Sequence, residues 1–393
     1  MEQSFKIIFW ILLSIVLYSY IGYGIFLYIL VLLKRLFIKP KTFNKNYEPE
    51  VTLFVAAYNE KDYIEEKLQN HFNLNYPKEK VKHIWVTDGS DDGTPELLKK
   101  YDNVEVYHKN SREGKIGALN RGIDFVKTPI VIFSDGNTTL SKDSIKIIVD
   151  LFKNPKVGCV AGEKRIILKN IDAAAGSGEG IYWKYESKLK QLDAELYSVV
   201  GAAGELFAIR TELFEKVEPD TLLDDFIISL RIIKKNFIIQ YNPNAYAMET
   251  ASANIKEELK RKVRISAGNI QSIIRLKELL NPFKYGIFTF QYISHKVLTR
   301  IFVPFSLPFI FILNFLIIQN IDCGKNIYGL IFILQIIFYF LVFIGWILKN
   351  FKIKAKIMFL PYYIYIMNYA VWLGLGRYLS GKQTVNWERA KRG

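Results

Sequence analysis

The chain has 393 residues, half of them hydrophobic and 23% charged, and a formal net charge of +15. Its 28 Phe and 24 Tyr, with the aliphatic content, exclude intrinsic disorder. Two cysteines, Cys159 and Cys323, exclude a disulfide framework and fit no metal-ligand spacing.

In chain order, Ile7–Leu33 is an uncharged apolar run. About 20 such residues cross a bilayer, so a transmembrane helix is expected over residues 1–36. Lys34, Arg35, Lys39, Lys41 and Lys45 follow it. The excess of Lys and Arg on cytoplasmic flanks places them inside.

Residues 45–280 have water-soluble composition and alternate strand, turn and helix. Strands are expected at Val51–Ala57, Val81–Thr87, Val104–His108 and Ile130–Phe133. Helices are expected at Lys61–Phe72, Pro95–Tyr101, Lys115–Val126 and Phe226–Lys235, the last with Asp224 as its N-cap. This alternation predicts an α/β fold with a mostly parallel, doubly wound sheet, which binds ligands beyond the carboxyl ends of its strands. Three strands end in polar clusters, at Ala57–Glu60, at Asp88–Gly93 and at Ser134–Asn137. They are expected to meet in one crevice.

Residues 281–300 mix aromatics with Lys284, His295, Lys296 and Arg300 and read as an amphipathic interfacial helix. Membrane helices follow over 301–376, with Ile301–Gln319 and Ile327–Leu348 as a hairpin. Met358–Leu375, rich in Tyr and Trp, reads as an in-plane or re-entrant segment. A basic cytoplasmic tail, 377–393, closes the chain.

Asp135 and Asn137 lie two positions apart at a strand end and offer oxygen donors to Mg²⁺ or Mn²⁺, ions held by few protein ligands plus substrate phosphates. Lys115 sits where a helix begins, a place that favours phosphate. Together they describe a diphosphate site.

In order along the chain stand VAAYNE (55–60), TDGSDDGT (87–94), SREGKIGALN (111–120), FSDGNTTL (133–140), GAAGELFAIR (201–210), LLDDF (222–226) and KRKVRISAGN (260–269). This series resembles the membrane-embedded, inverting family 2 glycosyltransferases, the branch of the cellulose, hyaluronan and poly-N-acetylglucosamine synthases. The resemblance implies a GT-A-type nucleotide-sugar domain. It implies that Ala57, Tyr58 and Glu60 line a uridine pocket, that Asp88 contacts base or ribose, and that Lys115 lies by the diphosphate. Asp135 corresponds to the first acid of the family's metal motif, with Asn137 at the second acid's place. Asp225 corresponds to the general base, with Asp224 in support, and Arg264 lies by the leaving group and acceptor. Gly204 belongs to the acceptor-side loop, next to Glu205, and Trp387 in the tail matches a closing segment that gates the site. Trp183 and Tyr185 suit either sugar stacking or packing.

Two departures stand out. Asn137 replaces an acid, and the family's Gln-x-x-Arg-Trp reads Arg261-Lys262-Val263-Arg264-Ile265. Loss of that Trp argues against processive polymer synthesis, and Arg261 suits an anionic acceptor such as a lipid diphosphate. The expected activity is sugar transfer from a nucleotide sugar, a UDP-sugar by resemblance, to a polysaccharide or lipid-linked acceptor at the inner membrane, with the catalytic domain cytoplasmic. Single-addition glycolipid synthesis is the alternative enzyme, and a non-catalytic nucleotide-sugar-binding subunit the alternative of another class. Membrane flanks and the substrate helix account for the positive charge, so no nucleic-acid partner is expected. Homo-oligomerisation or an export partner stays open.

Overall fold

The computed structural model describes residues 2–38, 47–167, 174–250, 255–319, 326–348 and 360–381. Eight strands form one sheet: β1 Val51–Ala57, β2 Val81–Asp88, β3 Glu105–Lys109, β4 Ile130–Ser134, β5 Thr139–Leu140, β6 Val157–Ile167, β7 Leu206–Arg210 and β8 Ile238–Thr250. Their order is β3-β2-β1-β4-β7-β6-β8-β5. The pairs β2–β3, β1–β2, β1–β4 and β6–β8 are parallel, whereas β7 runs antiparallel to both β4 and β6. The sheet is thus mostly parallel and GT-A-like, as expected.

The sequence explains the central strands. Val51-Thr-Leu-Phe-Val in β1 and Ile130-Val-Ile-Phe-Ser in β4 are buried throughout, the near-continuous apolar run of a strand covered on both faces. One face packs under α3 (Gly114–Gly122) and α6 (Asp224–Lys234), around Phe54, Phe133, Phe207 and Ile227. The other carries α4 (Ser144–Leu151), around Leu53, Ile132, Ile148 and Phe152. Helix α2 (Lys61–Phe72) covers the β1–β2 end through Ile64 and Leu68.

Register places the chemistry. Val51 pairs with both Val81 and Ile130, so β1, β2 and β4 start level, run parallel and point their carboxyl ends to one side. The loops after Ala57, Asp88 and Ser134 therefore share one rim, as the sequence predicts. Antiparallel β7 enters the sheet with Leu206 opposite Ser134, which brings the Gly201–Glu205 loop to the same rim.

Local boundaries differ modestly. The helix expected at 95–101 ends at Leu98, and the one expected at 115–126 gives way to a tighter turn at Ile123–Phe125. Asp224 is no N-cap; it lies inside the first turn of α6, after Leu223, and its carboxylate is drawn to Lys115 at 3.3 Å.

Among the described residues, three helices are long and apolar enough to cross a membrane: α1 (Glu2–Phe37), α8 (Ile287–Ile318) and α9 (Ile327–Leu348). Phe9 and Val16 of α1 pack on Val303, Ile310 and Ile317 of α8. The end of α1 is fastened to α5 (Ala174–Leu196), where Arg35 forks onto Glu195 at 2.5 and 2.7 Å. The separate interfacial helix expected over 281–300 is not formed. A short capped turn, Pro282–Tyr285, leads into α8, which runs unbroken through that region. Its Gln291, Ser294 and His295 are buried. The cause is Asp193 of α5, which accepts from Tyr23, Gln291 and His295, while Glu186 takes His295 and Lys296.

The last described helix, α10 (Leu360–Leu379), falls outside the three membrane-length helices. It lies along α7 (Ile255–Arg275), and Gly374 permits the approach: a Cβ there would stand 2.7 Å from Ser266 Cβ and 2.9 Å from the Ala267 nitrogen. Lys39, Lys41, Lys45, the lysines of 349–356 and the basic tail with Trp387 lie outside the described residues.

Candidate active site

Two cavities open along the sheet rim and meet at Lys115 and Asp135, which line both. The smaller, of about 90 Å³, is bounded by Ala57, Tyr58, Glu60, Asp88, Arg112 and Asn137. The larger, of about 230 Å³, includes Gly204, Glu205, Asp224, Asp225, Arg261 and Arg264. All the sequence-predicted site residues within the described structure thus line one of these two cavities.

At the junction, Lys115 Nζ donates to Asp135 Oδ1 at 2.9 Å and pairs with Asp224 Oδ2 at 3.3 Å. A Cβ built on Gly204 would stand 3.3 Å from both Lys115 Nζ and Asp225 Oδ2, so any side chain there would press on the junction. Burial opposes the charge of Lys115, but the carboxylates of Asp135, Asp224 and Asp225 outweigh it and raise its pKa. Burial, reinforced by the Asp224 charge, pushes Asp225 up to about 7. A carboxylate so placed is ionised enough to accept a proton near neutral pH and basic enough to hold it. Its Oδ1 accepts from the Phe226 N–H at 2.8 Å, which fixes its orientation at the helix start.

Asp88, expected to contact base or ribose, lines the smaller cavity and also holds the neighbouring backbone. Its Oδ2 accepts from the Glu113 and Gly114 nitrogens at 2.8 and 2.6 Å, and Arg121 approaches Oδ1 at 3.4 Å. Asp88 therefore ties the entrance of α3, and with it Lys115, to the end of β2. Arg261 forks onto Glu258 one turn back at 3.0 and 2.9 Å while still lining the larger cavity.

Several residues escaped the sequence reading. Arg112 stacks its guanidinium 3.8 Å from the Tyr58 ring and walls the smaller cavity. Buried Lys67 of α2 donates to Ser134 Oγ at 2.7 Å and to Thr138 O at 2.6 Å, which sets the Asp135–Asn137 turn; burial pulls its pKa down to about 7. Lys164 bridges the buried carboxylates of Glu205 and Glu249. Burial alone would raise Glu205, yet the Lys164 charge holds it down to about 2. Lys164, Lys190 and Lys262 ring the Trp183 indole at 5.8, 5.6 and 5.9 Å. Tyr185, by contrast, turns to α1 and donates to Tyr20 O at 2.7 Å. Arg112 lies within SREGKIGALN and Lys262 within KRKVRISAGN, both quoted motifs; Lys67, Lys164 and Lys190 come from a strand and helices whose local sequence is that of ordinary packing.

The donor set bears on a metal. Among the described residues no three His, Cys, Asp or Glu side chains form a cage. Asp135 and Asn137 nonetheless both face the smaller cavity, and three carboxylates converge on the one ammonium of Lys115. That negative surplus with two oxygen donors fits an ion such as Mg²⁺ or Mn²⁺ that draws the rest of its coordination from a diphosphate.

A mostly parallel sheet with acids and a lysine gathered at one rim is the arrangement the resemblance leads one to expect of a sugar-transferring enzyme. Residues 52–218 match the model of glycosyl transferase family 2. The chain is 26% identical over 351 residues to poly-beta-1,6-N-acetyl-D-glucosamine synthase of Staphylococcus epidermidis, covering 76% of this chain and 83% of that protein. It is 25% identical over 334 residues to the probable glycosyltransferase YdaM of Bacillus subtilis, covering 79% and 73%. The solved structure of the mannosyltransferase PcManGT from Pyrobaculum calidifontis, in complex with GDP-Man and Mn²⁺, shares the fold with a TM-score of 0.68. That match covers 96% of this chain and all of the other at 20% identity. The chain is a glycosyltransferase, and its residues 52–218 are similar to glycosyl transferase family 2.

Proposed function

We propose that the enzyme moves a sugar from a nucleotide-diphosphate sugar, a UDP-sugar on the family resemblance, to a glycan or lipid-linked acceptor, with inversion. The observation that carries this reading is the junction at Lys115 and Asp135, with Asp225 facing it from the larger cavity. The nucleotide lies in the smaller cavity, between Tyr58, Arg112 and Asp88. Its diphosphate reaches Lys115, and the sugar projects past Gly204 toward Asp225. Asp135 and Asn137 would hold a divalent ion, which when bound offsets charge on the departing diphosphate. Asp225 takes the proton from the acceptor hydroxyl as that oxygen attacks the anomeric carbon; one displacement gives inversion. Asp224 keeps Asp225 basic by its charge, and Arg264 of α7 supplies positive charge where the leaving group's charge develops.

The site's place beside α8 and α10 supports an acceptor that arrives from the membrane. With the basic flank of α1 inside, the catalytic domain lies in the cytoplasm at the inner membrane. The test is incubation of membranes bearing the protein with a panel of radiolabelled nucleotide sugars, followed by product sizing. Transfer from one donor that is lost in Asp225→Asn, with nucleotide binding retained, is the expected result. Nucleotide binding with neither hydrolysis nor transfer for any donor would favour a binding subunit instead.

A further inference from the structure

The larger catalytic cavity does not end at the sheet. Through Glu186, Arg300 and Met367 it adjoins a second cavity of about 270 Å³ between α1, α5, α8 and α10. Through Tyr20, Pro304, Ile364 and Asn368 that cavity adjoins a third, of about 830 Å³, among α1, α8, α9 and α10. Each cavity thus shares wall residues with the next, in a row from Asp225 toward the membrane-spanning region.

Its chemistry changes along the way. Eight cationic side chains against six acidic ones line the catalytic cavity among the described residues. Arg300 stands at the passage to the second. The third has no charged lining residue; Leu13, Val16, Leu307, Ile310, Leu334 and Phe338 form much of its wall. The Asn368 amide there is already bonded to Tyr20 Oη at 3.0 Å and to Ile364 O at 2.8 Å. Gln335, Tyr20, Tyr339, Tyr365, Tyr369 and Trp372 add polar atoms, but Gln335 already accepts from Asn314 and Trp372 donates to Pro304 O, so a glycan strand threaded through this mostly apolar wall would find few partners for its hydroxyls, which is costly. A hydrocarbon chain would lose nothing, and a phosphate at the passage would meet the Arg300 guanidinium, with Lys296 and its partner Glu186 close by.

We propose that the acceptor is a lipid-borne phosphate or diphosphate that already carries a sugar, its apolar chain in the third cavity, its phosphate at Arg300 and a hydroxyl of that sugar carried forward to Asp225. This rests on the transferase reading of the Asp225 cavity and names the substrate class that the reading leaves open.

The test begins with binding, which does not depend on the donor. Full-length protein in phosphatidylcholine nanodiscs is titrated with farnesyl diphosphate, with inorganic diphosphate and with phosphatidylglycerol. Farnesyl diphosphate is expected to bind at least about tenfold tighter than inorganic diphosphate, since burying even two methylenes is worth that ratio. Equal affinity for the two overturns the proposal, and equal competition by phosphatidylglycerol shows a bulk-lipid site and overturns it as well. Ile364→Trp, which plugs the neck, and Arg300→Gln are each expected to weaken binding about fivefold or more. Leu379→Trp, on the exposed end of α10, is the control for added bulk and is expected to change nothing. Thermal unfolding of each variant separates misfolding from lost binding, and Arg300→Gln serves where the Trp variant does not fold; unchanged binding in a folded variant refutes the placement.

A transfer arm follows with the donor found active. Label in an organic-extractable product of one added sugar supports the proposal, and a water-soluble ladder overturns it in favour of polymer exit. Consumption of no donor at all, with lipid binding intact, would fault the transferase reading and leave the lipid site standing.

Discussion

The pH dependence of turnover tests the base most directly. Burial and the neighbouring Asp224 charge raise Asp225 to about 7, so the proton-accepting form is ~90% populated at pH 8 and ~10% at pH 6. The value of kcat/KM for the donor, which reports groups of the free enzyme, is expected to fall about tenfold between those pH values. The assay is release of nucleoside diphosphate from pH 5 to 9 at limiting donor. Asp224→Asn removes one of the charges that raise Asp225, so the midpoint is expected to move down. Asp225→Asn is expected to abolish the ionisation and cost ~10²–10⁴-fold in rate. Stability carries the same signature with the opposite sense. The folded-state value lies above the unfolded one near ~4, so between them the unfolded chain binds fewer protons and stability falls as pH rises. Asp225→Asn is therefore expected to raise the Tm at pH 8 and not at pH 4. A wild-type profile flat down to pH 5, or one unmoved by Asp224→Asn, would refute the assignment of Asp225.

Three further outcomes are expected. Asp135→Ala removes the carboxylate that pairs with Lys115 and faces Asn137; UDP affinity by calorimetry should lose its dependence on Mn²⁺. Lys164→Met leaves Glu205 and Glu249 buried without their shared cation, a loss of ~3–5 kcal/mol visible in denaturant unfolding, and the midpoint should recover in part at low pH as those acids take protons. Arg112→Ala removes the stack on Tyr58 and should raise KM for the donor several-fold with little change in kcat, since the pair walls the nucleotide cavity, remote from Asp225.

Much of the donor half was legible because its signals are local. An apolar run that ends in Asp or Asn marks a strand end, and parallel alternation puts successive ends on one rim; hence Tyr58, Asp88, Lys115 and Asp135 were placed correctly on the cavity wall. The sequence could not say that Asp88 Oδ2 accepts from the backbone at Glu113 and Gly114, because that depends on how the loop closes.

Unaided, the amino-acid order determined the α/β alternation, the apolar helices and the acids at the strand ends, for each follows from periodicity or composition within a short window. The tertiary structure alone decided the rest. Antiparallel β7 carries Gly204 and Glu205 to the rim that β1, β2 and β4 already share. Lys164, Glu205 and Glu249 become one buried ion cluster across three strand segments. Asp193 draws the supposed surface helix into the interior by taking His295 and Gln291. These are pairings between residues far apart in the chain, set by which strand neighbours which and by the need of each buried charge for a partner, and no local pattern encodes either.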